Sequence, residues 1–156
     1  MHPFVGICLL SALISASAQG GKHKPMNLDE MLNSVQNDRI QFATLRPPGS
    51  KSALLERRVV ITGPPELVEL TKTGDAQILT HLINLLKDPS RAWAAEVLLA
   101  ALTWREEKLV DSFASQHEKW WEAAGQTAYE RWSSWLDQSR SNLVWDSKEK
   151  VFVEQK

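Results

Sequence analysis

Apolar residues recur along most of this chain at spacings of three, four and seven, the period of a helix that turns one face to a core. Leu28, Met31, Leu32, Val35 and Phe42 share such a face, with Arg39 on the same stripe, so the pattern predicts a helix from Leu28 to Phe42 behind an Asn27 cap. Asp29 and Glu30 fall in its first turn, where the helix dipole favours negative charge. Arg39 is expected to lay its stem over the edge of the core and to reach water with its guanidinium. Arg46-Pro47-Pro48-Gly49-Ser50 must break the helix, because a residue before proline leaves the helical region and prolines cannot donate. The next stretch, 51–61, fits two templates: Leu54, Leu55 and Val59 suit a short helix capped by Ser50, whereas Val59-Val60-Ile61-Thr62 suits a strand. The helix is favoured, since no second strand-like run lies nearby to pair with it.

Thr62-Gly63-Pro64-Pro65 resets the chain, and a short helix over 66–72 presents Leu67, Val68 and Leu70. Gly74 closes it and Asp75 caps the next, 76–87, where Ile78, Leu79, Leu82, Ile83 and Leu86 trace one face and His81 falls to its side, in solvent. Asp88-Pro89 then pairs a cap with a proline in the first helical turn, where a missing N–H costs nothing. The helix that follows, 90–103, is apolar on nearly every side from Ala92 to Leu102, the mark of a central helix packed all round.

These two helices, joined by Leu86-Lys87-Asp88-Pro89-Ser90-Arg91 and continuing into Ala94-Ala95-Glu96-Val97, resemble one HEAT-type helical repeat. The resemblance spans 75–103 and implies helix pairs stacked on one another. Thr103-Trp104 stands where that family usually closes its second helix with glycine. One clear unit is fewer than the roughly three a solenoid needs to bury its faces. The expected fold is therefore all-α, either a compact helical bundle or a short irregular HEAT-like α-solenoid.

The aromatic positions fit the same period. Residues 106–124 read as one helix with Leu109, Val110, Phe113, His117, Trp120, Trp121 and Ala124 in a stripe, or as two helices if Ser115-Gln116-His117-Glu118 is a capping box. In both versions Gly125 is the stop, and Thr127-Ala128-Tyr129-Glu130 is a second box that opens a helix carrying Ala128, Tyr129, Trp132, Trp135 and Leu136 on one face. Trp132 and Trp135 are thus expected in the core. Trp120 and Trp121 cannot both be there, because adjacent helical residues diverge by about 100°. One of those rings must sit at the edge, placed to anchor a partner. At the end of the chain, two apolar runs around a polar turn suggest a small C-terminal β-hairpin over 143–153, held to the core by Trp145 or Phe152.

Composition narrows the function. The 156 residues include 18 basic and 19 acidic side chains, for a net charge of −1, which argues against a nucleic-acid partner. An uncharged run from Phe4 to Ile14, followed by Ser15-Ala16-Ser17-Ala18, reads as a signal peptide over 1–18, cleaved between Ala18 and Gln19, so the protein is expected to be secreted or periplasmic. A flexible leader, 19–26, would precede a single helical domain, 27–156. Cys8 is the only cysteine and falls within the segment to be removed, leaving no thiol for a disulfide, a metal or a nucleophile. No other stretch approaches the ~20 apolar residues of a membrane span.

Candidate chemistry is sparse. His23, His81 and His117 are scattered, and where His117-Glu118 begins like a zinc-protease helix, Trp121 occupies the place of the second histidine. No nucleophile elbow, phosphate loop, dinucleotide fingerprint or calcium loop occurs. Glu106-Glu107 reads as a solvated helix start, and His117, on an apolar stripe, as a core histidine. These patterns lead to the expectation of an exported, non-catalytic module, without metal or cofactor, that binds another protein through Trp120, Trp121, His117 and Glu118. An inhibitor or immunity protein of the cell envelope would be one form. Two rivals remain: an envelope glycan binder or hydrolase using an exposed tryptophan with Glu118 or Glu122, with Glu130 near by, and a metal enzyme in which His117 converges with acidic neighbours.

Overall fold

A capping box starts the first helix: the Asn27 side chain accepts the Asp29 N–H at 2.9 Å, and the Glu30 carboxylate accepts the Asn27 N–H at 3.4 Å. The computed structural model describes residues 26–45, 58–105 and 117–155. The expected signal peptide at 1–18, the leader up to residue 25, the Ser50 cap and the stripe and box over 106–116 lie outside the described residues.

Helix α1 spans only Leu28–Asn33. The expected continuation to Phe42 is wrong, as is a helix over 58–61; the rest of that segment, 51–57, lies outside the described residues. Gln41–Leu45 forms strand β1, which pairs antiparallel with β2, Arg58–Thr62, and sets Phe42 opposite Ile61 and Ala43 opposite Val60. The partner strand had been hidden inside a stripe that matched a helix by its i, i+7 spacing. Between helix and strand the backbone turns at 37–39, and the Asn37 side chain is committed to Pro89 and Ala94 across the fold rather than to a helix of its own. Arg91 ties down the end of α1 and the chain just past it, donating from Nη2 to the Leu32 carbonyl and from Nε to that of Val35 at 3.0 Å. Arg39 is exposed in the turn before β1, so the helical stripe on which it was expected does not exist there.

Helix α2, Pro65–Leu70, buries Leu67 and Leu70. The chain then passes through Gly74 at φ 67°, where a Cβ would stand 2.7 Å from the Trp145 indole nitrogen, so both the backbone angle and the close approach require glycine. Asp75 accepts the Gln77 N–H at 2.9 Å and opens α3, Gln77–Leu85, which buries Ile78, Leu79, Leu82 and Ile83 and leaves His81 exposed. Across the Asp88-Pro89 connection lies α4, Ala92–Thr103, buried at every position except Ala101. It contacts α3, β2 and the C-terminal strand Val151–Glu154, which makes it the centre of the fold. Trp104 closes it at φ 52°, in the left-handed conformation that glycine usually supplies.

The last helix corrects two more expectations. From α5, His117–Trp120, the chain runs through a wide π turn, Trp121–Gly125, into α6, Gln126–Ser139. Gly125 has helical angles, φ −64° and ψ −38°, and is no stop; Thr127 opens no helix and instead returns its hydroxyl to the Ala124 carbonyl. The wide turn has a packing reason. Trp120, Ala124, Ala128, Trp132 and Leu136 recur every four residues and are all buried. Four residues overshoot an α-helical turn by about 40°, so such a series drifts off its face. A turn holding one extra residue takes up part of that drift. Gly125 makes room for it, because a Cβ there would lie 2.5 Å from Trp121 Cε3 and 2.8 Å from Trp120 Cζ3.

Strands β3, Leu143–Asp146, and β4, Val151–Glu154, form the expected hairpin. Phe152 is its buried foot, with the Trp145 ring 4.8 Å away. The described fold is thus mostly helical with two small two-stranded antiparallel sheets, and the all-α expectation missed β1–β2.

Candidate functional site

Four aromatic rings run from a strand, through the core, to the surface. Phe42 meets Trp93 of α4 edge-on at 5.6 Å, Trp93 meets Trp120 at 5.4 Å, and Trp120 meets Trp121 at 6.2 Å. Trp120 is completely buried, and Trp121 is half-buried. Each ring is braced by the one before it, so Trp121 reaches the rim on a rigid support.

Trp121 lines a groove of about 600 Å³ with His117, Glu118 and Glu122 on one wall and Gln36, Asn37, Asp38, Pro89 and Ser90 on the other. The second wall is fastened by its own hydrogen bonds. Asn37 donates from Nδ2 to the Pro89 carbonyl at 2.7 Å and accepts the Ala94 N–H on Oδ1 at 3.1 Å, which also satisfies a free donor at the start of α4. Asp88 accepts both the N–H and the hydroxyl of Ser90, at 2.9 and 2.7 Å. The Ser90 hydroxyl chiefly holds the Asp88 carboxyl below its ordinary range, with the backbone bond and Arg91 acting in the same direction against desolvation.

Of the residues singled out from sequence, the groove brings together His117, Glu118, Glu122 and Trp121, while Trp120 lies beneath it. His117 is half-buried rather than a core histidine, and Glu130 is exposed outside the groove lining. Trp132 and Trp135 are buried, as their period implied. The opposite wall, from Gln36 to Asp38, was missed; only a tertiary contact carries it there. Glu96 was missed as well. It is 1 % exposed within α4, accepts the Trp132 indole N–H at 2.6 Å, and has Arg131 Nη2 at 3.7 Å. A lone carboxylate inside an otherwise apolar helix was the signal available for it.

At the far end of the fold, Trp135 and Arg105 both reach Glu154, at 2.7 and 3.3 Å. The Trp135 bond is the main cause that lowers the Glu154 carboxyl below its usual value. Lys87 sits 4.0 Å over the Tyr129 ring.

Among the described residues, no three His, Cys, Asp or Glu side chains gather as a metal site would require, and no helix is long and apolar enough to cross a membrane. Comparison of the chain with protein-family models, with curated proteins and with solved structures returns no match.

Proposed function

We propose that the protein is an exported, non-catalytic module that binds another protein through the groove at Trp121. The observation that carries this reading is the aromatic run that ends in a half-buried, braced indole on a groove rim. A rigid aromatic anchor surrounded by polar groups is how protein interfaces concentrate their binding energy. The α3–α4 pair with its Asp-Pro connection supports reading this part as a HEAT-type unit, a scaffold that commonly presents such surfaces. The run from Phe4 to Ala18 supports export, and an inhibitor or immunity role in the envelope fits both.

A glycan-binding reading draws on the same place, because Glu118 and Glu122 flank Trp121. Site-specific photo-crosslinking in the producing cell separates the two. The full chain carrying Gln36→p-benzoylphenylalanine should yield a discrete protein adduct that Trp121→Ala abolishes, whereas the same group at exposed His81 should yield none. Absence of the adduct, together with quenching of Trp121 fluorescence by cell-wall oligosaccharides, would decide for the glycan.

A further inference from the structure

The groove walls differ in what they have left to offer. On one side the Asn37 amide and the Ser90 hydroxyl already donate to Pro89 and Asp88. What remains is the Gln36 amide, the His117 imidazole, the Trp121 indole and the carboxylates of Asp38, Glu118 and Glu122, and none of the three carboxylates is in an ion pair with a described residue. No lysine or arginine is found among the described residues that line the groove, although the whole chain is nearly neutral at −1. The negative charge is therefore local. Glu118 lies three residues before Trp121 and four before Glu122, spacings that crowd side chains onto one helix face.

We propose that this groove receives an arginine side chain of the partner protein, its guanidinium stacked on Trp121 and its N–H groups shared between Glu118 and Glu122. The inference rests on the protein-binding reading above and names the chemistry of the partner. A guanidinium is flat, always charged and weakly hydrated, and it presents only donors, which suits a π face bordered by acceptors. Lysine would answer the charge but not the plane. A sugar would offer hydroxyls to the same carboxylates but no charge to answer theirs.

The test is an NMR titration of the ¹⁵N-labelled full chain, following the Trp121 indole N–H, assigned by comparison with Trp121→Phe. The probes are capped single residues: N-acetyl-arginine methylamide, its uncharged citrulline counterpart and the lysine analogue. Arginine should bind roughly threefold to fivefold more tightly than citrulline, and lysine should fall between them. Glu118→Gln with Glu122→Gln should bring arginine down to the citrulline level, and added salt should weaken it. Equal binding of arginine and citrulline overturns the inference, and a surviving photo-adduct at position 36 would then leave the protein-binding reading standing. If oligosaccharides move the resonance and no adduct forms, both fall. Movement with protein concentration alone would assign the groove to a second copy. Movement caused by Lys22→Gln with Lys24→Gln would assign it to the chain's own basic leader. Either of these also overturns the partner arginine.

Discussion

Trp132 donates its indole N–H to the Glu96 carboxylate at 2.6 Å, in a core where Glu96 is 1 % exposed. A buried carboxylate is tolerated only when its oxygens are met, and hydrogen bonds to charged groups contribute about 1.5–3 kcal/mol. Trp132→Phe should therefore destabilise by more than its lost packing alone. In a cycle with Glu96→Leu, which removes the acceptor, the two changes should be non-additive by about 1 kcal/mol or more, measured as urea unfolding free energies. Additivity would mean that the bond contributes nothing.

Trp120 offers the matching contrast. It is equally buried, yet its indole nitrogen has no hydrogen-bond partner among the described residues. Phenylalanine there loses packing but removes an unmet donor, whose burial costs roughly 1–3 kcal/mol. Trp120→Phe should consequently cost about 1 kcal/mol less than Trp132→Phe. Equal losses from the two substitutions would refute that assignment.

Gly125→Ala is expected to destabilise, against the usual gain of about 0.5–1 kcal/mol for such a change inside a helix. The new Cβ would meet Trp121 and Trp120 atoms at 2.5 and 2.8 Å, and inserting carbon into a packed site costs about 1–3 kcal/mol. Because both rings must give way, the Trp121 indole resonance should move as well. A stabilised variant with that resonance unchanged would show that the wide turn does not need glycine.

The same residue shows where sequence reasoning reaches its limit. Glycine after an apolar stripe marks a helix end only if it adopts a left-handed angle, and that angle is not written in its neighbours. Gly74 has it and Gly125 does not, while Trp104, an unlikely residue for the role, does. Helices α3 and α4 were legible because their apolar runs are local features; the expected caps fall short of them, since Asp75 and Asp88 accept from Gln77 and Ser90 in the turns ahead, while the N-caps are Ala76 and Arg91 and neither makes a side-chain cap bond. Phe42 misled for the opposite reason: its partner is Ile61, and a strand with a distant partner carries no local mark. The groove was half legible for both causes together. His117, Glu118, Trp121 and Glu122 share one short segment of helix, so their grouping could be read; Asp38 and Ser90 join them only because Asn37 fastens its turn to the α3–α4 connection.

Acid sensitivity should localise to the C-terminal hairpin. The Glu154 carboxyl is lowered first by the Trp135 N–H and, more weakly, by Ser139 and Arg105, with partial burial opposing them. A carboxyl with a lower pKa folded than unfolded binds fewer protons in the native state, so stability rises with pH through that window. Its contribution is present above the unfolded value of about 4.3 and fades as pH falls through the folded one. Since the Glu154 side chain is 46 % exposed, solvent screens the pairing and the effect should be modest. Glu154→Gln should lower the urea midpoint at pH 7 and leave it near that of the unsubstituted protein at pH 3, with Asp88 supplying the same background slope to both. Trp135→Phe should flatten the slope more than Arg105→Gln does, because the indole N–H is the larger cause. A Glu154→Gln deficit of the same size at both pH values would mean that the charge on this carboxylate plays no part in holding the hairpin.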